Sequence, residues 1–128
     1  MKYRTKQEFF WKGKFGDQYL KRLNAKSLLV AHKEFFKKTL GKANKINSII
    51  EFGPNIGINL MVLKKILKLK KITAVEINKK ICAKLAKINN VEVINKSILN
   101  FISYKKYDLV MSIALLMHIN PKKFATIF

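Results

Sequence analysis

Cys82 is the only cysteine in the chain. That excludes an intramolecular disulfide and any cysteine-based zinc site. His32 and His118 are the only histidines, and they lie far apart, so no metal-binding cluster is expected. Arginine is confined to Arg4 and Arg22. Acidic side chains number seven. No apolar run approaches the roughly 18 residues that a membrane helix needs. The N-terminus, MKYRTKQEFFWKGKF, lacks the apolar centre and small-residue cleavage site of a secretory signal. Cytoplasm is the default expectation. With five glycines and two prolines, no low-complexity linker is visible, and no internal repeat either.

What is present is lysine and apolar bulk. The chain has 128 residues, a formal charge of +20 and 49% hydrophobic residues. That is enough for one small core and one domain. Such a charge can mark a nucleic-acid or anionic-surface binder. Here the basic residues are almost all lysine and are spread over every segment, and Ile and Asn are abundant too. These are the residues of AT-rich codons. A dedicated nucleic-acid binder is expected to use more arginine, for bidentate phosphate and guanine contacts. No specific nucleic-acid partner and no membrane insertion are expected.

The stretch Ser48 to Leu60, SIIEFGPNIGINL, organises the rest. Ile49 and Ile50 read as the end of a buried strand, and Glu51 closes it. Gly53, Pro54, Asn55 and Gly57 make a tight turn, and Ile58 opens a helical pattern. Strand, acidic residue, glycine turn and helix are the parts of a nucleotide-type pocket in an α/β fold. The spacing is not the G-x-G-x-x-G of dinucleotide sites, and no P-loop Gly-Lys-Ser/Thr ending follows. It resembles motif I of the class I S-adenosylmethionine-dependent methyltransferases. Asn55 replaces the usual middle glycine, a mild change because Asn tolerates left-handed backbone. The alternative reading of the loop is a turn whose glycines only let a helix pack on a strand and which binds nothing.

Around this stretch the chain alternates. Met1 to Gly16 is aromatic and basic and reads as a loop-rich segment, with Asp17 a candidate helix N-cap. Apolar residues from Tyr19 through Leu20, Leu23 and Phe36 to Leu40 predict a long amphipathic helix, broken near Asn24 and ending at Gly41. Strands are predicted at Ser48–Phe52, Ile72–Ile77, Val91–Ile94 and Tyr107–Ser112. Helices are predicted from Ile58, after Asn78 as N-cap, through Leu115 and Leu116, and again from Pro121. Alternating βα units imply a parallel, doubly wound sheet of about four strands, preceded by helices. The first two strands lie side by side, and ligands bind beyond the strands' carboxyl ends.

Glu51, Glu76 and Ser97 fall at such ends. A carboxylate at the tip of the second strand, Glu76, can accept hydrogen bonds from both hydroxyls of a ribose. Ser97 and Ile98 offer a polar contact and an apolar face, as an adenine ring needs, though ordinary turn chemistry explains them as well. Asp108 reads as a capping carboxylate. His118, in LLMHINP, reads as a packed histidine and is otherwise the only local candidate for a base. His32 sits among lysines and is given no role. The catalytic residues are not identified.

Five blocks in order carry a closer resemblance: WKGKFGDQYLKR (Trp11 to Arg22), IIEFGPNIGINL (Ile49 to Leu60), AVEINKK (Ala74 to Lys80), NKSILNF (Asn95 to Phe101) and YDLVMSIALLMHINP (Tyr107 to Pro121). Together they resemble the pseudaminic acid biosynthesis-associated methylases, a branch of class I methyltransferases. The resemblance implies a Rossmann-like fold, S-adenosylmethionine as methyl donor and a sugar-type acceptor in surface-glycan synthesis. It implies that Glu51, Gly53, Asn55 and Gly57 line the methionine end of the donor. Glu76 would take the ribose, and Ser97 with Ile98 the adenine. Residues 1–46 would then be a helical lid, and 47–128 the donor-binding domain. Members of that family continue past HINP through further strands, which implies a chain truncated at its C-terminus with its acceptor half cut short. The alternatives are an inactive donor-binding fragment and, further off, a basic RNA-binding or RNA-modifying protein.

Overall fold

The computed structural model describes residues 5–22 and 24–127. Met1 to Arg4, Leu23 and Phe128 lie outside them, so the place of Leu23 in the predicted amphipathic pattern and of Phe128 in the last helical segment is not described. Five α-helices carry the described chain: α1 (Lys6–Lys12), α2 (Lys14–Tyr19), α3 (Ala25–Leu40), α4 (Ile58–Ile66) and α5 (Lys79–Leu85). Four strands alternate with the later ones: β1 (Ser48–Phe52), β2 (Lys71–Glu76), β3 (Val91–Asn95) and β4 (Leu109–Met111). The sheet order is β3-β2-β1-β4 and every pairing is parallel. The register sets Glu51 beside Ala74 on one side and Met111 on the other.

Local chemistry explains most boundaries. Asn24 breaks the long N-terminal helical pattern by capping α3, its Oδ1 accepting from Lys26 N and Ser27 N. Asn78 caps α5 in the same way. The first residues differ from the loop expected there. Thr5 and Glu8 form a reciprocal capping box, so the chain is helical from Lys6 onward. Asp17 is not an N-cap; it lies inside α2 and uses its carboxylate elsewhere. Residues after β4 form two 3₁₀ turns, Leu116–His118 and Pro121–Thr126, instead of α-helix.

The core lies between one face of the sheet and the α3–α4 layer. Ile49, Leu60, Leu63 and Leu85 are fully buried there, with Phe36 of α3 beside them. Each such side chain contributes about 1.5–3 kcal/mol by leaving water. The opposite face is covered by the connection after β3. Phe101 packs edge-on against Phe52, and the Tyr107 hydroxyl lies 3.1 Å from Thr73 Oγ1. Among the described residues, that second layer is chain without α-helix. Both layers leave the carboxyl ends of β1 and β2 free to meet the glycine turn.

Candidate functional site

The turn after β1 is built from left-handed backbone. Gly53, Asn55 and Gly57 have φ of 67°, 52° and 81°. Gly53 N continues the ladder past the strand, donating to Val75 O at 2.9 Å. A Cβ on Gly53 would stand 3.0 Å from a methyl of Leu115. On Gly57 it would meet Ile88 Cδ1 at 2.7 Å and Leu85 Cδ2 at 2.8 Å. Gly53 therefore leaves room for the Leu115 side chain against the turn, while Gly57 lets α4 start against Leu85 of α5 and Ile88. The Asn55 N–H donates to the Glu76 carboxylate, which ties the turn to the tip of β2.

Glu76 is buried, and three backbone N–H groups serve its carboxylate: those of Asn78 (2.9 Å), Asn55 and Ile77. Burial raises its proton affinity, and those bonds oppose the rise. Glu51 is 1% exposed. Burial pushes its carboxyl up to about 7, a bond from Asn59 opposes that, and the charge of Glu76 adds to it. Asn59 Nδ2 serves Glu51 Oε1, while Oε2 is buried with no partner. Asn55 Oδ1 and Ser112 Oγ, also near this turn in sequence and register, are buried without partners too. Buried polar atoms of this kind are costly unless something occupies the space beside them.

A cleft opens above the turn, with about 900 Å³ of empty space including its mouth. Of the residues expected at a site, Gly53, Asn55, Glu76, Ser97 and Ile98 line it. Glu51 and Gly57 do not. Glu51 lies behind the turn, bonded to α4, and Gly57 is engaged in packing. The Ser97 hydroxyl accepts from Leu99 N at 3.2 Å and retains its own proton for a further bond.

The other wall comes from α1, α2 and the segment after β4. Glu8, Trp11 and Tyr19 face Ala114, Leu115 and His118 across the cleft. The Trp11 ring meets Tyr19 edge-on at 5.5 Å and the His118 ring at 4.5 Å. His118 is thus packed, as its apolar neighbours suggest, and it also lines the cleft. Ala114 holds φ 59°, a left-handed conformation that costs an alanine energy and often sits at functional sites. Sequence reading missed Glu8, Ser112 and Ala114. For Glu8 a signal existed, since Thr-x-x-Glu is the capping-box pattern. Nothing in local periodicity marks the other two.

Asn78 joins the two walls. Its Oδ1 caps α5, and its N–H holds Glu76. Its Nδ2 reaches Trp11 O at 3.1 Å, Lys12 O at 3.4 Å and Asp17 Oδ1 at 3.0 Å. Lys80 adds an exposed ion pair to Asp17 at 2.5 Å. That pair and the Asn78 bond hold the Asp17 carboxyl below its usual range. Asp108 lies away from the cleft, where it accepts from Asn47 N, Ser48 N and Ser48 Oγ and joins β4 to the start of β1. No group of metal-ligating side chains occurs among the described residues. No described helix is long and apolar enough to cross a membrane.

No family model matches the chain, and no curated protein matches it. Solved structures do match in shape. The plantazolicin methyltransferase BpumL, solved with S-adenosylhomocysteine, superposes with a TM-score of 0.64 at 19% identity over 83% of this chain and 44% of its own. DhpI, in a complex with S-adenosylmethionine and HEP, gives 0.71 at 15% identity, over 94% of this chain and 55% of its own. Phosphoethanolamine N-methyltransferase 1 of Haemonchus contortus, solved with phosphoethanolamine and S-adenosylhomocysteine, gives 0.68 at 14% identity, over 94% of this chain and 27% of its own. The chain spans about two fifths of the plantazolicin methyltransferase. At these identities the likeness establishes the fold: α/β, with the parallel Rossmann-like sheet of these enzymes.

Proposed function

We propose that the cleft binds S-adenosylmethionine and that the chain carries the donor-binding part of a methyltransferase. The observation that supports this most is where the negative charge lies. In a chain of net charge +20 with seven acidic residues, the buried ones are Glu8, Glu51 and Glu76. Glu8 and Glu76 line the cleft, and Glu51 lies behind its turn. The chain's own N–H groups serve Glu8 and Glu76, but both still bring negative charge to the cleft, and buried charge is stabilised further by a cation or a donor. A ligand with a sulfonium, an ammonium and a ribose diol supplies both.

The residues present fit the donor. Glu76 would accept from the ribose hydroxyls. Ile98 offers an apolar face to the adenine, and Ser97 a hydroxyl proton. Gly53 lets the ligand come close to bare backbone, and Asn55 Oδ1 supplies an unfilled acceptor for an ammonium, with the Glu51 carboxyl behind the turn adding only its charge. Gly57 would serve by shaping the turn. When bound, S-adenosylmethionine supplies an electrophilic methyl carbon. The chain's contribution is positioning: it must orient an acceptor atom in line and keep water out. Trp11 and Tyr19, held over the cleft by Asn78, are placed to act as a lid and to stack on a ring. A sugar-type acceptor of surface-glycan synthesis, in the cytoplasm, follows the five-block resemblance. Aromatic faces beside carboxylates suit such a ligand. No catalytic base is assigned.

Calorimetry with S-adenosylhomocysteine tests this. Wild type should bind, and Glu76→Ala should bind at least about 100-fold more weakly, since a charged acceptor of two hydrogen bonds is lost. Undiminished binding by Glu76→Ala overturns the ribose assignment. Binding by wild type without methyl transfer to any sugar would favour a donor-binding fragment. RNA binding that survives moderate salt, with no affinity for the nucleoside, would replace both readings.

A further inference from the structure

Behind the glycine turn, three side chains form a hydrogen-bonded series with a fixed direction. His32 stands half-buried on α3, and its Nδ1 lies 2.5 Å from Asn59 Oδ1. The same amide donates through Nδ2 to Glu51 Oε1. With Glu51 ionised the carboxylate can only accept, so the amide nitrogen faces Glu51 and the amide oxygen faces His32. His32 Nδ1 therefore carries a proton. The series runs from a side chain that water can reach to one that is 1% exposed.

We propose that His32 is a positioning residue for Glu51: acting through Asn59, it keeps the buried carboxylate oriented and ionisable, and so sets the pH range over which a cationic ligand binds the cleft. The ligand half of this statement rests on the donor-binding reading; the His32–Asn59–Glu51 half does not. The groups that act on Glu51 are few. Asn59 of α4 bonds it directly, His32 of α3 acts through Asn59, and Glu76 of β2 repels it. Met111 of β4, opposite in register, is uncharged. No lysine or arginine forms an ion pair with Glu51 among the described residues. Without His32 the amide loses the bond that prevents its reversal, and Glu51 loses an aligned donor.

The test has two readouts on the whole chain. The first follows the Glu51 carboxyl carbon by NMR in ligand-free protein, from about pH 5 to 9. His32→Ala should raise the midpoint by at least about half a unit, a threefold change in proton affinity. His32→Gln, which can place an N–H against Asn59 Oδ1, should recover part of the shift. Asn59→Ala should raise the midpoint as well, and adding His32→Ala to it should change nothing more. An unmoved midpoint in His32→Ala, or additive shifts, overturns the proposal. The second readout is S-adenosylhomocysteine affinity over the same range. Its rise with pH should move upward in His32→Ala by the same amount, and a uniform loss at every pH would overturn the proposal. If the NMR midpoint moves while wild type binds no nucleoside at any pH, the positioning role stands and the donor-binding reading fails.

Discussion

The two ends of β1 treat carboxylates in opposite ways. At its start, Asp108 is exposed and accepts three hydrogen bonds from Asn47 and Ser48, which hold its carboxyl below the usual range. About 10 Å further on, Glu51 is buried, has one unpartnered oxygen and is pushed up to about 7. Glu76 beside it is buried and likewise raised. A carboxylate whose bonds are all made by its own chain is a fastening. One whose environment disfavours its charge is held in reserve for something else. Between Asp108 and Glu51 the difference lies in what the chain places around the acid: two consecutive N–H groups and a hydroxyl in water in one case, burial and a single amide in the other, while Glu76 is buried but served by three N–H groups.

The sharpest way to break this contrast is to remove one acid from each end. Glu76→Ala should cost the nucleoside at least about two orders of magnitude in affinity. Asp108→Ala should leave that affinity within about twofold and instead speed hydrogen exchange in β4. If Asp108→Ala abolishes binding as well, the contrast is void. Next in size is the pH dependence of stability. Glu51 has its carboxyl raised from 4.5 to about 7 in the folded state, so its favourable contribution is complete below about 4.5 and is lost as pH rises through 7. Glu51→Gln should flatten that decline, and above pH 7 it should be more stable than wild type by up to about 3 kcal/mol in urea titrations. A loss of stability at pH 8 would show that the buried charge is compensated after all. Asn78→Ala should cost about 1 kcal/mol through the α5 cap. It should also raise hydrogen exchange in α1 and α2, which an effect on the cap alone would not do. Smallest is Lys80→Ala. Its ammonium is largely exposed, so the pair with Asp17 should matter little and fade with salt.

The parts of the fold that follow from neighbours in sequence were legible. Ile49, Ile50 and the Gly53–Gly57 turn predict β1 and α4 because branched residues, glycines and period 3.6 act within a few residues. Asn78 was readable as a cap for the same reason. Its second bonding partner, Asp17, lies 61 residues away, and His32 meets Asn59 across 27. Nothing in the local pattern at Asp17 or His32 reports such contacts. Strand β4 is shorter than the Tyr107–Ser112 stretch predicted, because Asp108 turns back to bond Ser48 and the strand is paired on one side only. The acids at the strand tips were visible, but their different depths were not. Glu51 and Glu76 look alike in sequence. Only packing places one in the cleft wall and the other behind it.

Trp11 is the chain's only tryptophan, and its ring rests 4.5 Å from that of His118 at the mouth of the cleft. The emission of an indole responds to a ring packed against it, so a ligand that entered between or beside the two rings would change it. The molecule thus carries its own optical gauge of cleft occupancy, with no second indole to dilute the signal and no label to perturb it.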